Sequence, residues 1–196
     1  MLADLLAHPG VEEVCELRGR FGLMAFHGGS LERGTDVVAS AAAERAGASY
    51  YAVLQPPDLT WHVPSIEFDP ASSPRLAAFL DHVDTVVAVH GFGRAGLWTT
   101  LLVGGGNRSL ARRLAGALRE TLGDGFTVVD DLDAIPRPLR GVHPRNPVNL
   151  PRGGGAQLEL PPRVRPGTGA PTHRAAYAAA VVDALAAVAA APDPAT

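Results

Sequence analysis

Two stretches of the chain are almost free of polar residues. DTVVAVH (84–90) is a nearly unbroken β-branched run, and LWTTLLVGG (97–105) is a second run of the same kind. Both have the pattern of strands buried on two faces. ASYYAVL, FTVVD and AQLEL read as shorter strands. VEEVCEL and FGLMAF flank the turn signal RGR, which predicts strand, tight turn and strand. That hairpin would deliver His27 at its far end. TWHVPSIEF is extended but interrupted by Pro64, so it reads as an edge strand or an ordered loop.

Helical periodicity fills the intervals. Residues 2–9 predict a short helix ended by Pro9-Gly10. Thr35 can cap a helix through Ala46, with Asp36 at its positive end and Gly47 as its stop. SPRLAAFLDHV is amphipathic. Asn107 can cap a helix whose Leu110, Leu114, Leu118 and Leu122 form one stripe before Gly123. Thr172 opens a last helix with a stripe of Tyr177, Val181, Leu185 and Val188. Residues 131–154 are rich in Pro, Gly and Arg without periodicity, so they form a long surface loop.

Helices alternating with buried strands predict a single α/β domain over residues 1–191, with 192–196 as a disordered tail. The expected architecture is a mixed, mostly parallel β-sheet flanked by helices on both faces. In such sheets ligands gather beyond the strand ends.

Composition narrows the function. Of 196 residues, 46% are hydrophobic and 19% charged, a globular balance. All 17 basic residues are arginines, and the net charge is −3, which gives no electrostatic case for nucleic acid. The lone Cys15 excludes an internal disulfide and a cysteine-built zinc site. No run is long enough to cross a bilayer, so no membrane partner is expected. MLADLLAHPG lacks the basic start and long apolar core of a secretory signal, and a cytoplasmic location is the expectation.

Three polar residues stand at or just past strand ends. His27 follows GLMAF, His90 follows DTVVAV, and Glu159 lies inside AQLEL after three glycines. Glu32 comes five residues after His27, across Gly28-Gly29. If the strands are neighbours, His27, Glu32 and His90 converge as two imidazoles and a carboxylate, a ligand set of catalytic zinc. Such a metal makes water a nucleophile at neutral pH, and Glu159 is the acid available to take its proton. Each residue also has a plainer reading. A strand-end histidine is often hydrogen-bonded structure, Glu32 can be a solvated loop acid, and Gln157-Glu159 can form the polar face of an edge strand. Of the other histidines, His62 is a candidate for substrate binding and His143 is a reserve ligand or substrate contact. No G-x-S-x-G elbow or phosphate loop is present. Arg94, Arg108 and Arg152 are candidates to hold a substrate carboxylate.

The motifs HGGSLERGT, HVPSIEFDP, VVAVHGFGR, LLVGGGNRSLA and NPVNLPRGGGAQLELPPRVR, in that order, resemble the poly-γ-glutamate hydrolase family. They span Phe21 to Arg165. The resemblance implies a zinc-carboxypeptidase-like fold with one Zn2+, held by His27, Glu32 and His90, and Glu159 as general base. It also implies hydrolysis of amide bonds in glutamyl substrates. Asn149, within the last motif, joins the candidate substrate contacts. The expected partner is a small-molecule, peptide or poly-glutamyl substrate. A polyanion favours a basic groove and the net charge supplies none, so its recognition falls to local arginines. Two alternatives stand beside this reading. One is a non-catalytic module that binds carboxylates. The other is an amidase acting on a small N-acyl amino acid or a cell-wall peptide.

Overall fold

In a computed structural model, which describes residues 1–167 and 173–191, seven strands form one sheet in the order β1-β3-β2-β4-β7-β5-β6. They are β1 (Glu12–Glu16), β2 (Phe21–Gly29), β3 (Ser49–Gln55), β4 (Thr85–Gly91), β5 (Thr100–Gly104), β6 (Thr127–Val129) and β7 (Gly155–Leu160). The pairs β2/β3, β2/β4, β4/β7 and β5/β6 are parallel, while β1/β3 and β5/β7 are antiparallel. The mixed, mostly parallel sheet expected from the sequence is therefore present. The hairpin is not. β1 pairs with β3, which lies between β1 and β2. The connection that resembled a tight turn is tied to the start of β3 instead: Arg18 N–H donates to Ser49 Oγ at 2.8 Å and Gly19 N–H to the Gly47 carbonyl at 3.0 Å. The chain thus steps across the end of β3, and the place beside β2 is taken by the strand that the next helix returns.

Among the described residues five α-helices cover the sheet: α1 (Leu2–Leu6), α2 (Thr35–Ala46), α3 (Pro74–His82), α4 (Arg108–Leu122) and α5 (His173–Ala190). α2, α4 and α5 pack on one face over Leu23, Ala25, Val87, Val89, Ala156 and Leu158. α1 and α3 pack on the other over Met24, Phe26, Val86 and Ala88. The leucine stripe of α4 is buried, and Asn107 caps the helix by accepting from Leu110 N–H at 2.9 Å. Val181, Leu185 and Val188 of α5 are buried too, whereas Tyr177 is half exposed with its ring against Phe126. Thr172 lies outside the described residues. At α2 the cap is Gly34, in the left-handed region at φ 85°, and Thr35 is already helical, its hydroxyl turned back to the Glu32 carbonyl at 2.8 Å. Among the described residues no helix is long and apolar enough to cross a membrane.

One irregularity in β2 positions the site. Ala25 pairs with Ala52, yet Gly28 pairs with Leu54, so β2 carries one extra residue between them. Such a bulge resets the alternation of side chains. Met24 and Phe26 face the α1/α3 side, and strict alternation would turn His27 to the opposite core. Instead His27 joins Phe26 on the same side, its ring 5.7 Å from that of Phe68, which also packs on Phe26.

Candidate metal centre

The turn after β2 is built to return over His27. Gly29, at φ 71°, passes so close to β3 that an added Cβ would sit 2.3 Å from the Gln55 carbonyl oxygen. The Asp36 carboxylate accepts from Gly29 N–H at 3.2 Å, and Glu32 N–H donates to the His27 carbonyl at 2.9 Å. The Glu32 carboxylate consequently lies against the ring five residues before it. Its Oε1 is 2.9 Å from His27 Nδ1, while its Oε2 accepts Gly91 N–H at 2.8 Å and lies 3.5 Å from His90 Nδ1. The ring centroids of His27 and His90 are 5.1 Å apart.

One ligand atom from each of His27, Glu32 and His90 falls within 4.8 Å of the others. Zinc bonds of about 2.0–2.2 Å in a tetrahedral site separate ligand atoms by about 3.4 Å, so this spacing suits one ion after a small contraction. Hydrogen bonding makes the same point. His27 Nε2 is 2.8 Å from the Val63 carbonyl, so both ring nitrogens of His27 face acceptors. A neutral imidazole carries one N–H and satisfies one of them. A proton or a metal ion must therefore lie between Nδ1 and Glu32. A carbonyl on the far nitrogen is also how metal-ligating histidines are oriented. His90 Nε2 is buried with no hydrogen-bond partner among the described residues.

The charges follow from this packing. Burial pushes the Glu32 carboxyl upward, but the two histidines outweigh it and hold the group well below the usual carboxylate range. Burial lowers His90, but the hydrogen bond and charge of Glu32 prevail and leave it raised. Glu159 is the direct register partner of His90 on β7 and is 3% exposed. Burial, only partly offset by the charge of His90, pushes its carboxyl up to about 7. The solvated edge face that Gln157-Glu159 alternation also permitted is absent: both are buried beneath the long loop.

A cavity of about 750 Å³ opens over these groups. His62, Pro64 and Ile66 form one wall, and Arg137, Leu139, Val142, His143 and Asn146 of the long loop form another. His62 has its ring 4.8 Å from that of His27; burial, then the neighbouring His27, lowers its pKa. His143 accepts Arg145 N–H on Nδ1 at 3.1 Å. Four candidates lie elsewhere. Arg152 pairs with Asp84 at 3.0 Å, at the end of β4 remote from His90. Arg108 spends its guanidinium on the carbonyls of Val103, Gly105 and Asp130. Asn149 braces the loop by donating to the Gly141 and His143 carbonyls. Arg94 is exposed on the loop after β4 and outside the cavity lining. The arginine that does line the cavity is Arg137, which has no acidic partner among the described residues. Sequence reasoning missed it because nothing in a loop without periodicity marks which arginine turns inward. It missed Gln157 and Asn146 as well, although the Gln157-Glu159 alternation was a signal that the two share a face.

The profile of the poly-gamma-glutamate hydrolase family matches residues 6–169. The chain belongs to that family. Membership makes it a hydrolase of amide bonds. Among solved structures, a bacteriophage poly-gamma-glutamate hydrolase is 22% identical, with a TM-score of 0.75 over 92% of this chain and 91% of that one. A zinc-free apo form of YNDL is 26% identical, with a TM-score of 0.64 over 77% of this chain and 71% of that one. A metallo-carboxypeptidase from Burkholderia cenocepacia is 12% identical, with a TM-score of 0.53 over 96% and 67%. The family fold is thus shared with carboxypeptidases. No curated protein matches the chain significantly.

Proposed function

We propose that this member of the family is a zinc-dependent amidohydrolase that cleaves γ-glutamyl amide bonds, with His27, Glu32 and His90 as metal ligands and Glu159 as general base. The observation that carries the reading is the position of His27, both of whose ring nitrogens face acceptors, so that Nδ1 meets Glu32 through a proton or, in the proposed enzyme, through the metal ion that Glu32 and His90 also reach. The bacteriophage relative bears the name of a poly-gamma-glutamate hydrolase, and the relative YNDL is distinguished as its zinc-free apo form.

Zinc in such a ligand set supplies a Lewis acid that activates water near neutral pH. The remaining work belongs to the chain. Val63 and Gly91 hold His27 and Glu32 in place. Glu159 Oε2 takes the proton of the attacking water and delivers it to the departing nitrogen, so one O–H adds across the C–N bond and an acid and an amine leave. In the metal-free protein burial raises this carboxyl, which strengthens it as a proton acceptor. Arg137 binds the free carboxylate of the glutamyl unit through two parallel N–H bonds.

A specific feature favours a shorter substrate as a second reading. Among the described residues the cavity holds one arginine beside Pro64, Ile66, Phe92, Leu139 and Val142, which suits one carboxylate at a time and not a run of them. The test is zinc content in protein purified without chelator, together with product release from poly-γ-glutamate and from a γ-glutamyl dipeptide. About one zinc per chain and hydrolysis of either substrate is the expected result. Folded protein with less than about a tenth of an equivalent of zinc, or loaded protein inert on both, refutes the proposal. Cleavage of the dipeptide alone selects the second reading.

A further inference from the structure

Glu159 is not alone on its face of the sheet. Gln157, two residues earlier on β7 and 4% exposed, donates from Nε2 to Glu159 Oε1 at 2.9 Å. The same Nε2 donates to the Leu139 carbonyl at 3.3 Å, and Gln157 Oε1 accepts from Asn146 Nδ2 at 2.9 Å. Asn146 in turn accepts Val148 N–H on Oδ1 at 3.2 Å, capping the short turn Pro147–Asn149.

A side-chain amide has one donor end and one acceptor end, so whatever faces one end dictates the other. Here the sequence of choices starts from a backbone N–H, which can only donate. It fixes Oδ1 of Asn146, which leaves Nδ2 for Gln157, which leaves Nε2 for Glu159. An ionised carboxylate can only accept, so the chain is consistent at both ends. Its effect is to occupy Oε1 of Glu159 and to leave Oε2 for the cavity. The long loop also packs on this amide: a Cβ at Gly141, φ 64°, would lie 2.6 Å from Gln157 Oε1.

We infer that Gln157 is a positioning residue for Glu159, and that Asn146 sets its amide in the orientation that presents Oε2 as the base. The inference rests on the reading of Glu159 as general base. Without the donor at 157 the carboxylate is free to turn about its last torsion. With Asn146→Asp the residue at 146 can only accept, so Gln157 either meets it oxygen to oxygen or reverses and sets its oxygen against both the Leu139 carbonyl and Glu159, and either outcome disturbs the donor that holds Oε1.

The experiment measures kcat and KM on a γ-glutamyl dipeptide with zinc-loaded protein for Gln157→Met, Asn146→Asp, their combination and Glu159→Gln. Each of the first two is expected to lower kcat about tenfold to a hundredfold with KM within about twofold, the size known for hydrogen-bond partners that orient metal-ligating residues. The combination is expected to be no worse than the worse single, because both act through one amide. Losses that multiply, a change confined to KM, or wild-type kcat in either single overturns the inference. If Gln157→Met does not fold, the isosteric Asn146→Asp carries the test, and wild-type kcat there overturns it. Full activity in Glu159→Gln removes the base and the inference together. Its loss beside normal kcat in Gln157→Met removes the positioning role alone.

Discussion

His90 and Glu159 are register partners on two adjacent parallel strands, β4 and β7. In parallel pairing, partners project to the same face, so a proposed metal ligand and the proposed base stand side by side although 69 positions of sequence separate them. The strand between Thr85 and Gly91 thereby brings its one imidazole next to a carboxyl that burial has already pushed up to about 7. The third element is the β2 bulge, which turns His27 toward the same place.

The Glu159 carboxyl yields a prediction with opposite signs for activity and stability. General-base catalysis contributes about 10²–10⁴ in rate, so Glu159→Gln should lower kcat by about that factor. In chelated protein the same change should stabilise. Between its ordinary 4.5 and about 7 the folded protein holds a proton that the unfolded chain has lost, so stability falls as pH rises through that window. Above it the full cost, about 3 kcal/mol for a shift of this size, is present. Urea unfolding should show Glu159→Gln more stable by up to that amount at pH 8 and indistinguishable at pH 4. Equal midpoints at pH 8 would mean that burial does not raise the Glu159 carboxyl above its ordinary value.

Among the described residues Arg137 lines the cavity without an acidic partner, so its loss should be felt by substrate and not by fold. Hydrogen bonds to charged groups contribute about 1.5–3 kcal/mol, so Arg137→Gln should raise KM about tenfold to a hundredfold. Arg137→Lys should recover part of this, since an ammonium lacks the paired geometry. On a substrate whose free carboxylate is converted to an amide, the variant and the wild type should not differ. A loss confined to kcat would assign Arg137 to the oxyanion.

Much of this was legible in the sequence, for identifiable reasons. The leucine stripe of α4 and its Asn107 cap are local patterns that burial enforces. The run ending at His90 and the turn from His27 to Glu32 are likewise short-range. What escaped is what depends on pairing. FGLMAF reads the same with or without a bulge, so the face of His27 was hidden. RGR beside two apolar runs matches a hairpin, and only the return of β3 to the flank of β2 excludes it. Arg152 and Arg137 both sit in the segment without periodicity, and only the folded path of that segment shows that one meets Asp84 and the other lines the cavity.

Gly29 tests the turn itself. An alanine there meets two obstacles: a left-handed φ of 71° and the Gln55 carbonyl 2.3 Å from the new Cβ. The backbone strain alone costs about 1–3 kcal/mol, and relieving the contact must displace the turn that carries Glu32. Gly29→Ala should lower both thermal stability and zinc affinity. Gly96, at φ 82° with nothing within 4 Å of its Cβ position, is the control. Gly96→Ala should show the strain and keep wild-type affinity. Equal affinities in the two variants would detach the turn from the metal.

The His90–Glu32 pair sets how metal binding depends on pH. Glu32 is depressed below 4.5, so it stabilises the metal-free fold above that value and the contribution is lost as pH falls through its folded value. His90 is raised above 6.5, so its contribution is full below that value and is lost as pH climbs through the folded one. Between about 4.5 and 6.5 both are present, and there the metal-free pair is most stable as imidazolium and carboxylate. A metal ion requires the deprotonated imidazole, so zinc must displace the His90 proton throughout this window. Calorimetry of zinc binding at pH 6 in buffers of different ionisation enthalpy should record proton release, and His90→Gln should reduce it along with the affinity. Glu32→Gln should flatten the acid side of the chelated protein's stability curve. Zinc binding at pH 6 with no proton released in any buffer would show that His90 is already neutral, and would undo the charge assignment on which the pair rests.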